Sequence, residues 1–209
     1  MENTTIRLWF EESEFGFSAD CNSHSGAYSL CGDSLCTQGL GSTEMGCSAD
    51  LQAQDEWLAS FFTASPKIEL VGDQLTLSTS EATLVFLDRE VADPDRPLTG
   101  RTWTIDTFID GDAASNLPLQ VPPTVEFADD GTFQAFTTCN TGTGAYVAEG
   151  TSLTLSEVAY SEEGCDASGS DTADVHVKSV LTDGVVTTEI EAARLTLMHG
   201  TLGISATTD

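Results

Sequence analysis

One stretch decides the fold of this chain, because it occurs twice. Cys21-Asn-Ser-His-Ser-Gly-Ala-Tyr28 returns 118 positions later as Cys139-Asn-Thr-Gly-Thr-Gly-Ala-Tyr146. At the same spacing, Gly46-Cys-Ser-Ala49 corresponds to Gly164-Cys-Asp-Ala167, so a second cysteine follows the first by 26 positions in each copy. Self-similarity at a fixed spacing is typical of a duplicated structural unit. We therefore predict two copies of one domain in tandem.

The same spacing extends beyond this stretch. Phe15 corresponds to Phe133, and Leu84-Val-Phe86 corresponds to Leu202-Gly-Ile204, still 118 positions apart. A colinear series of matches of this length is not expected by chance. It indicates that most of the chain takes part in the duplication.

The domain boundaries follow from the duplication. A polar segment with two prolines lies between the copies, which is typical of a linker. We predict a first domain at residues 1–88, a linker at 89–97 and a second domain at 98–209. Residues 98 to 120 have no counterpart in the first copy, so we expect the first domain to lack its opening strand.

The charge of the chain excludes some classes of partner. Acidic residues number 34 against 7 basic ones, for a formal net charge of -27. Binding to phosphate backbones needs clustered Lys and Arg, so no nucleic acid partner is expected. No run approaches the roughly 20 apolar residues of a transmembrane helix. Calcium is conceivable at Asp110-Gly-Asp-Ala-Ala-Ser-Asn116, but the stretch lacks EF-hand spacing, and a solvated loop is the better interpretation.

Most segments have the pattern of short strands. They are β-branched or aromatic and are separated by turn pairs such as Gly72-Asp73 and Asp183-Gly184. One helix per copy is predicted after the second cysteine. In the first copy, Ser48 or Asp50 caps the helix, and its apolar face consists of Leu51, Trp57, Leu58, Phe61 and Phe62. In the second copy, Asp171 caps the helix, and its apolar face consists of Val175, Val177, Val180 and Leu181. The fold class is α+β and mostly β: two antiparallel barrel-like domains, each with one packed helix.

The cysteines predict a disulfide framework. An even number at repeated spacing indicates bridges Cys21–Cys47 and Cys139–Cys165, each worth roughly 3 kcal/mol through a loop of about 25 residues. Cys31 and Cys36 occur only in the first copy and are close enough to bridge locally. A metal site is the alternative for this pair, although two thiols without clustered partners are a weak zinc pattern.

Disulfides persist in oxidising compartments, so the protein is expected to be extracellular, periplasmic or in the cell envelope. Residues 1–10 contain no basic segment followed by an apolar run, so no signal peptide is recognised within this chain.

Several residues together resemble a known family, the META domain, also called HslJ-like. They are Leu98-x-Gly-x-x-Trp103, Phe127-x-x-Asp-Gly-x-Phe133, Cys139-Asn-x-x-x-Gly-x-Tyr146 and Cys165 before a helix. The first copy matches from Phe10 through Leu87, so the resemblance covers nearly all of the chain. It implies a small β-rich fold with one helix, found in bacterial envelope proteins linked to stress and without established catalysis.

The sequence departs from the family pattern at defined positions. Asp20 and Thr138 stand where the family has glycine before Cys-Asn. The family's Thr-x-Met-x-Cys is partly kept as Thr43-Glu-Met-Gly-Cys47, whereas Ser161-Glu-Glu-Gly-Cys165 departs further. We expect the second copy to have lost a shared surface there.

Catalytic interpretations find little support. Gly32-Asp-Ser-Leu35 has the four letters of a GDSL hydrolase, but neither His176 nor His199 follows an aspartate by three positions, as that family requires. His24 is isolated in sequence as well. We predict no catalytic residues, no cofactor and no metal site.

The predicted function is that of a non-enzymatic exported bacterial protein, an envelope stress-related or binding module with an unknown protein or small-molecule ligand. The alternative is a protein inhibitor or small-ligand carrier that uses the Cys31–Cys36 loop or a barrel mouth. Self-association through the incomplete first domain is a further possibility, because an unpaired sheet edge can take up another strand.

Overall fold

The protein divides into two compact units, residues 1–92 and 93–209, in a computed structural model. The structure describes residues 4–116, 118–165 and 170–209. Each unit is built mainly from antiparallel strands with a helix packed on its sheet, so the predicted fold class is confirmed.

The first unit contains seven strands that pair in chain order. They are β1 (Arg7–Phe10), β2 (Glu14–Ser18), β3 (Ser23–Cys31), β4 (Ser34–Ser42), β5 (Lys67–Val71), β6 (Gln74–Ser78) and β7 (Thr83–Leu87). Helix α1 (Ala49–Thr63) connects β4 to β5, and the short helix α2 (Arg89–Ala92) follows β7. Within the described residues, β1 and β7 each pair with one strand only, so this sheet stays open.

In the described residues of the second unit, the chain forms nine strands and one helix. They are β8 (Thr102–Asp110), β9 (Ala113–Ser115), β10 (Thr124–Phe127), β11 (Thr132–Phe136), β12 (Thr141–Glu149), β13 (Ser152–Tyr160), helix α3 (Ser170–Val180), β14 (Gly184–Glu191), β15 (Arg194–His199) and β16 (Leu202–Thr207). Strand β8 pairs with both β16 and β10, which closes a barrel of eight strands, while β9 pairs only with β8.

The interior of the barrel is filled by side chains. Trp103, Val125 and Leu153 are completely buried there, and Phe127 and Phe133 nearly so. An eight-stranded barrel is just wide enough for side chains to fill its centre. The second unit therefore has a packed core where a ligand-carrying barrel would have a cavity.

The two copies correspond strand by strand, with one exception. Strands β1–β7 of the first unit match β10–β16 of the second in order and in the position of the helix. No described strand of the first unit takes the place of β8. The opening strand is thus the structural difference between an open sheet and a closed barrel.

The register of the last hairpin corrects one alignment. Leu77 lies opposite Leu84, and Leu197 lies opposite Ile204. Because both hairpins have the same turn length, Leu84 corresponds to Ile204 at a shift of 120. The predicted match at 118 was therefore wrong by two residues. Side chains on a strand alternate between faces with a period of two, so a shift of two leaves the apolar pattern unchanged and the sequence does not show it.

Gly26 and Gly144 mark a β-bulge in each copy. The pairing of β3 with β4 shifts between Ser25 and Ala27, and that of β12 with β13 shifts between Thr143 and Ala145. A Cβ at Gly26 would lie 2.9 Å from the carbonyl oxygen of Gln38. The glycine is needed for this close approach of two backbones and not for a positive φ.

A pair of opposed residues next to the bulge differs between the copies. Gly142 lies opposite Tyr160, whose ring occupies the space that a Cβ on Gly142 would need. In the first copy His24 lies opposite Ser42 and stacks on Phe17 with ring centroids 4.7 Å apart. The large side chain therefore comes from β13 in one copy and from β3 in the other.

The two predicted helices are present, with some changes of face. Leu58, Phe61 and Phe62 of α1 are buried as predicted, but Trp57 is 45% exposed. In the second unit Val177, Val180 and Leu181 are buried, whereas Val175 is 64% exposed. Trp57 and Val175 were thus wrongly assigned to the apolar face. Each lies at the border of that face, where a small rotation about the helix axis decides whether a side chain is buried or exposed.

The predicted linker differs in the structure. Residues 89–92 form α2. Beyond it, the Arg96 N–H donates to the carbonyl of Ala192, and the Ala192 N–H donates to Asp95 Oδ1, 2.7 Å away. Residues 93–97 therefore belong to the second unit, because Ala192 in its β14–β15 turn holds them by one hydrogen bond to the Arg96 backbone and one to the Asp95 carboxylate.

Candidate functional site

The cysteines form the framework of the candidate site. The structure contains the disulfides Cys21–Cys47, Cys31–Cys36 and Cys139–Cys165, with Cα–Cα distances of 6.2, 5.9 and 5.3 Å, respectively. The two long-range bridges tie the start of β3 and of β12 to the segment before the helix. Because Cys31 and Cys36 are bonded to each other, neither offers a thiolate to a metal.

The residue after the first cysteine anchors the loop before the second one. In the first copy Asn22 Oδ1 accepts hydrogen bonds from Thr43 Oγ1 at 3.0 Å and from the Met45 N–H at 2.8 Å. Its Nδ2 donates to Asp55 Oδ2 of α1 at 2.9 Å, and its backbone N–H donates to the same oxygen. One amide thus joins strand, loop and helix.

The second copy repeats this arrangement position by position. Asn140 Oδ1 accepts from Ser161 Oγ at 3.0 Å and from the Glu163 N–H at 2.7 Å. Its Nδ2 donates to Asp174 Oδ1 of α3 at 2.9 Å. The loop hydrogen bonds are kept although the sequence departs from the family pattern here, because Ser161 Oγ takes the place of Thr43 Oγ1 and the Glu163 N–H takes that of the Met45 N–H. The loss of a shared surface stays a prediction. We call each set of asparagine, helix aspartate and loop donors the Asn–Asp lock.

The second lock has more donors than the first. Thr137 Oγ1 also donates to Asp174 Oδ1, and Lys178 Nζ lies 2.8 Å from Asp174 Oδ2. Burial alone would raise the pKa of Asp174, but the hydrogen bonds from Lys178, Thr137 and Asn140 outweigh it and hold that pKa below its usual value. The carboxylate is therefore held in its charged form.

The first lock has small residues in the corresponding places. Ala19 corresponds to Thr137, and Ala59 to Lys178, in the aligned strands and helices. Asp55 is 5% exposed, and its Oδ1 is buried without a hydrogen-bond partner. An unpaired buried oxygen carries a desolvation cost, so this lock is the weaker of the two.

Backbone strain lies next to each lock. Asp20 has φ 66° and Thr138 has φ 91°. These are the positions where the family pattern has glycine, which adopts positive φ without steric cost. The left-handed backbone therefore falls two residues before Asn22 and Asn140, and each asparagine side chain is available to form the lock.

One group of residues meets the spacing of a metal site. Ligand atoms of Cys139, Cys165 and Asp174 all lie within 4.8 Å of one another. The two sulfur atoms are joined in a disulfide, and Asp174 is already bound by three donors. The proximity follows from the lock and does not provide a metal site.

The Gly32-Asp-Ser-Leu35 stretch forms the tip of the β3–β4 hairpin. Gly32 has φ 69° in the turn, and Asp33 forms an ion pair with Lys67 at 2.9 Å. Leu35 is completely buried in the core. Asp33 and Leu35 thus have structural roles in a β-hairpin, as an ion-pair partner and as a core residue. GDSL hydrolases carry the motif in a different place, after a strand of an α/β sheet.

The three histidines are spread over the two units. His24 is 7% exposed, and burial lowers its pKa against a smaller opposing effect of Asp55. His176 Nε2 lies 2.9 Å from the Gly203 carbonyl oxygen, and His199 Nδ1 lies 3.3 Å from that of Val180. The two C-terminal histidines thus contact backbone carbonyls of their own domain.

Two shallow clefts lie on the surface. One of about 410 Å³ in the second unit is lined by Arg101, Glu126, Asp129 and their neighbours. One of about 400 Å³ in the first unit is lined by Thr4, Ile6, Ala53, Gln54 and Trp57. Residues 110–116, interpreted from the sequence as a solvated loop with calcium as the alternative, form the exposed β8–β9 hairpin, which contributes to no carboxylate cluster within the described residues.

The helix aspartates of the locks were missed from the sequence. Asp55 and Asp174 are 119 positions apart, whereas the cysteines and asparagines are 118 apart. The helices shift by one residue relative to the preceding strands, so a fixed spacing places Asp55 opposite Ala173. An alignment of the buried helix positions, Leu58 with Val177, would have found the pair.

Comparison with known proteins identifies the two copies. The family model described as META domain matches residues 1–91 and 96–206. No curated protein matches the chain.

Two NMR structures resemble roughly half of the chain. The first is 16% identical, with 53% of this chain and 90% of that one covered, and a TM-score of 0.43. The second, a protein from Burkholderia xenovorans, is 17% identical, with 54% and 83% covered, and a TM-score of 0.44. The Helicobacter pylori beta clamp matches 97% of this chain and 56% of that one at 7% identity and a TM-score of 0.22. With TM-scores below 0.5, none of the three bears on function.

Proposed function

Because the chain belongs to the META domain family, we propose that it is a non-enzymatic binding or stress-protective module of the bacterial cell envelope or exterior. The observation that carries this proposal is that the polar residues common to both copies form structural hydrogen bonds. Asn22 and Asn140 direct their amides, and Asp55 and Asp174 their carboxylates, into hydrogen bonds that hold the disulfide loop. What the duplication preserves is thus a stabilising device.

The three disulfides support a location outside the cytoplasm, because structural disulfides form and persist mainly in oxidising compartments. In the described part of the chain, no helix combines the length and the apolar character that crossing a bilayer requires.

Two measurements on the full chain test the proposal. Alkylation without reductant, followed by mass spectrometry, should find no free thiol in protein isolated from its natural host. A panel of ester, peptide, glycoside and phosphate substrates should show no turnover. Six free thiols would overturn the location, and a turnover abolished by Ser34→Ala or His24→Gln but unaffected by Ser29→Ala would overturn the absence of catalysis.

A second candidate function, a protein inhibitor, is favoured by the Cys31–Cys36 hairpin. The bridge fixes the hairpin tip, and Leu30 beside it is 62% exposed. A constrained loop with an exposed apolar residue loses little entropy on docking. Leu30→Ser should abolish such binding, with Leu70→Ser, another exposed leucine of the same domain, as the control.

A further inference from the structure

The open edge of the first domain presents unpaired backbone groups on β7. The Thr79 N–H donates to the Ala82 carbonyl, and the Asp88 N–H donates to that of Asp73, both at 2.8 Å. In an antiparallel pair, hydrogen-bonded residues alternate with residues whose backbone groups point to the other side. The outward N–H and C=O groups therefore belong to Thr83, Val85 and Leu87.

The same reasoning applies to β1 on the other side of the opening. The Glu11 N–H donates to the Glu14 carbonyl at 2.8 Å, and Phe10 lies opposite Phe15. By alternation, Leu8 and Phe10 direct their backbone groups away from β2. Both edges of the sheet thus offer unpaired donors and acceptors to an additional strand.

The side chains beside the opening are apolar and incompletely covered. Phe10 is 38% exposed, and Leu8, Leu84 and Phe86 are partly exposed although they pack on the core of their domain. In the second domain Phe127 and Ile204, at the positions of Phe10 and Leu84, are 2% and 1% exposed.

The second domain shows what fills this position. Strand β8 lies between β10 and β16, pairs antiparallel with both, and buries Trp103, Ile105 and Phe108 in the core. The duplicated chain therefore contains a template for the missing strand: an extended segment whose apolar residues face the core and whose backbone pairs on both sides.

Charge defines the partner further. The first unit, residues 1–92, contains 15 acidic residues and 3 basic ones. A segment with basic residues at its ends would be attracted to this domain, whereas an acidic one, including a second copy of this chain with its net charge of -27, would be repelled.

We propose that the open edge of the first domain, formed by β1 and β7, binds an extended segment of another protein that has apolar residues facing the core and basic residues at its ends. The segment takes the place that β8 has in the second domain and closes the sheet by β-strand addition. This inference gives the proposed binding function its surface and its class of partner, and it rests on that function.

The test uses the full chain and a fluorescent peptide with the sequence of residues 98–110, carrying two lysines added at each end. Fluorescence anisotropy should show binding with one peptide per chain. A control peptide has serine at the positions of Trp103, Ile105 and Phe108 and should not bind. Hydrogen exchange on the wild-type complex should show new protection at Leu8, Phe10, Thr83, Val85 and Leu87.

A matched pair of variants locates the binding. Val85→Pro removes the outward N–H at the edge without touching the β6 ladder, and the loss of one ladder hydrogen bond weakens peptide binding about tenfold. Val85→Ala shortens the same exposed side chain but keeps the N–H, so its affinity should equal that of the wild type.

Three results of the peptide experiments overturn the proposal. They are no binding of the strand peptide, equal binding of the serine peptide, and binding without new protection at β1 and β7. A concentration-dependent dimer that Val85→Pro abolishes would assign the edge to a second copy and would also overturn it. In each case the thiol count and the turnover panel still stand as separate tests of the proposed function.

Discussion

Phe10 and Phe127 occupy the same place in the two halves of the molecule. Each packs edge-on against a tyrosine, with centroids 5.2 Å apart for Phe10–Tyr28 and 5.1 Å for Phe127–Tyr146. Yet Phe10 is 38% exposed and Phe127 only 2%. The local contacts are alike, and the difference in burial comes from the strand that covers Phe127 and has no counterpart over Phe10.

This comparison separates two levels of organisation in the fold. The disulfide and the Asn–Asp lock are complete in both halves, although one sheet is closed and the other open. The lock therefore organises strand, loop and helix by itself. Closure of the barrel depends on β8 and adds burial at the far edges of the sheet.

The largest expected effect comes from removing these two aromatic rings. Phe127→Ala should lower the free energy of unfolding of the second domain by about 4 kcal/mol, because it leaves a cavity in a closed core. Phe10→Ala should lower that of the first domain by about 2 kcal/mol, since solvent already reaches the ring. Hydrogen exchange with mass spectrometry measures each domain within the full chain. Equal losses would show that β8 does not create the difference, and Val147→Ala is the surface control.

The two locks should also differ in strength. Asp174→Ala leaves Lys178, Thr137 and Asn140 without their acceptor and should cost the second domain about 3 kcal/mol. Asp55→Ala removes an acceptor for Asn22 alone and relieves a buried unpaired oxygen, so it should cost the first domain about 1 kcal/mol. Urea unfolding followed by domain-resolved hydrogen exchange measures both, with Asp171→Ala in the exposed first turn of α3 as control. A larger loss for Asp55→Ala would contradict this ranking.

Much of this architecture could be predicted from the sequence, because the duplication fixes spacing. The disulfide pairs and the turn-rich strands follow from repeated Cys, Gly and Asp-Gly patterns. Strands β3, β4 and β12 were harder, since their Ser, Gly and Thr residues have little apolar alternation, and partners in the sheet stabilise them instead. The Asn–Asp lock could not be predicted from a fixed spacing of 118 residues. Asp55 and its counterpart Asp174 are 119 residues apart, because the helices are shifted by one residue relative to the strands.

Thr138→Gly offers a smaller effect of opposite sign. A β-branched residue at φ 91° is strained, although its hydroxyl donates a hydrogen bond to the Ser170 carbonyl at 3.0 Å and lies 3.5 Å from Cys139 Sγ. Since strain of this kind costs about 1–3 kcal/mol, the glycine variant should stabilise the second domain by about 1 kcal/mol.

Asp20→Gly in the first domain should gain less, because aspartate tolerates positive φ better than threonine. Thr154→Gly, in an exposed strand position, should destabilise and serves as control. A thermal shift assay on the three variants measures these effects, and a destabilised Thr138→Gly would show that the hydroxyl outweighs the strain.

The smallest effect is a pH dependence of the first domain that originates from His24. Burial lowers the pKa of His24 below the value of 6.5 that it has when unfolded, so the unfolded chain binds the proton more readily. The stability of the first domain should therefore be full above about pH 6.5 and decrease as the pH falls through the folded pKa. The second domain has Gly142 at this position and lacks this contribution.

Hydrogen exchange of each domain between pH 5 and 7.5 measures this dependence. His24→Phe keeps an aromatic ring against Phe17 and should flatten the slope in the first domain. A slope that persists in this variant would assign the effect to other groups.

The opposed pairs Gly142–Tyr160 and His24–Ser42 fill the same space from opposite strands, which has a consequence for how such domains can diverge. A chimera with β12 in place of β3 in the first domain would place Gly142 opposite Ser42 and create a cavity. Transplanting β13 alone would set a tyrosine ring against His24. The exchange of both strands together keeps one large and one small residue in the pair, so at this position the hairpin, and not the single strand, is the unit that can be exchanged.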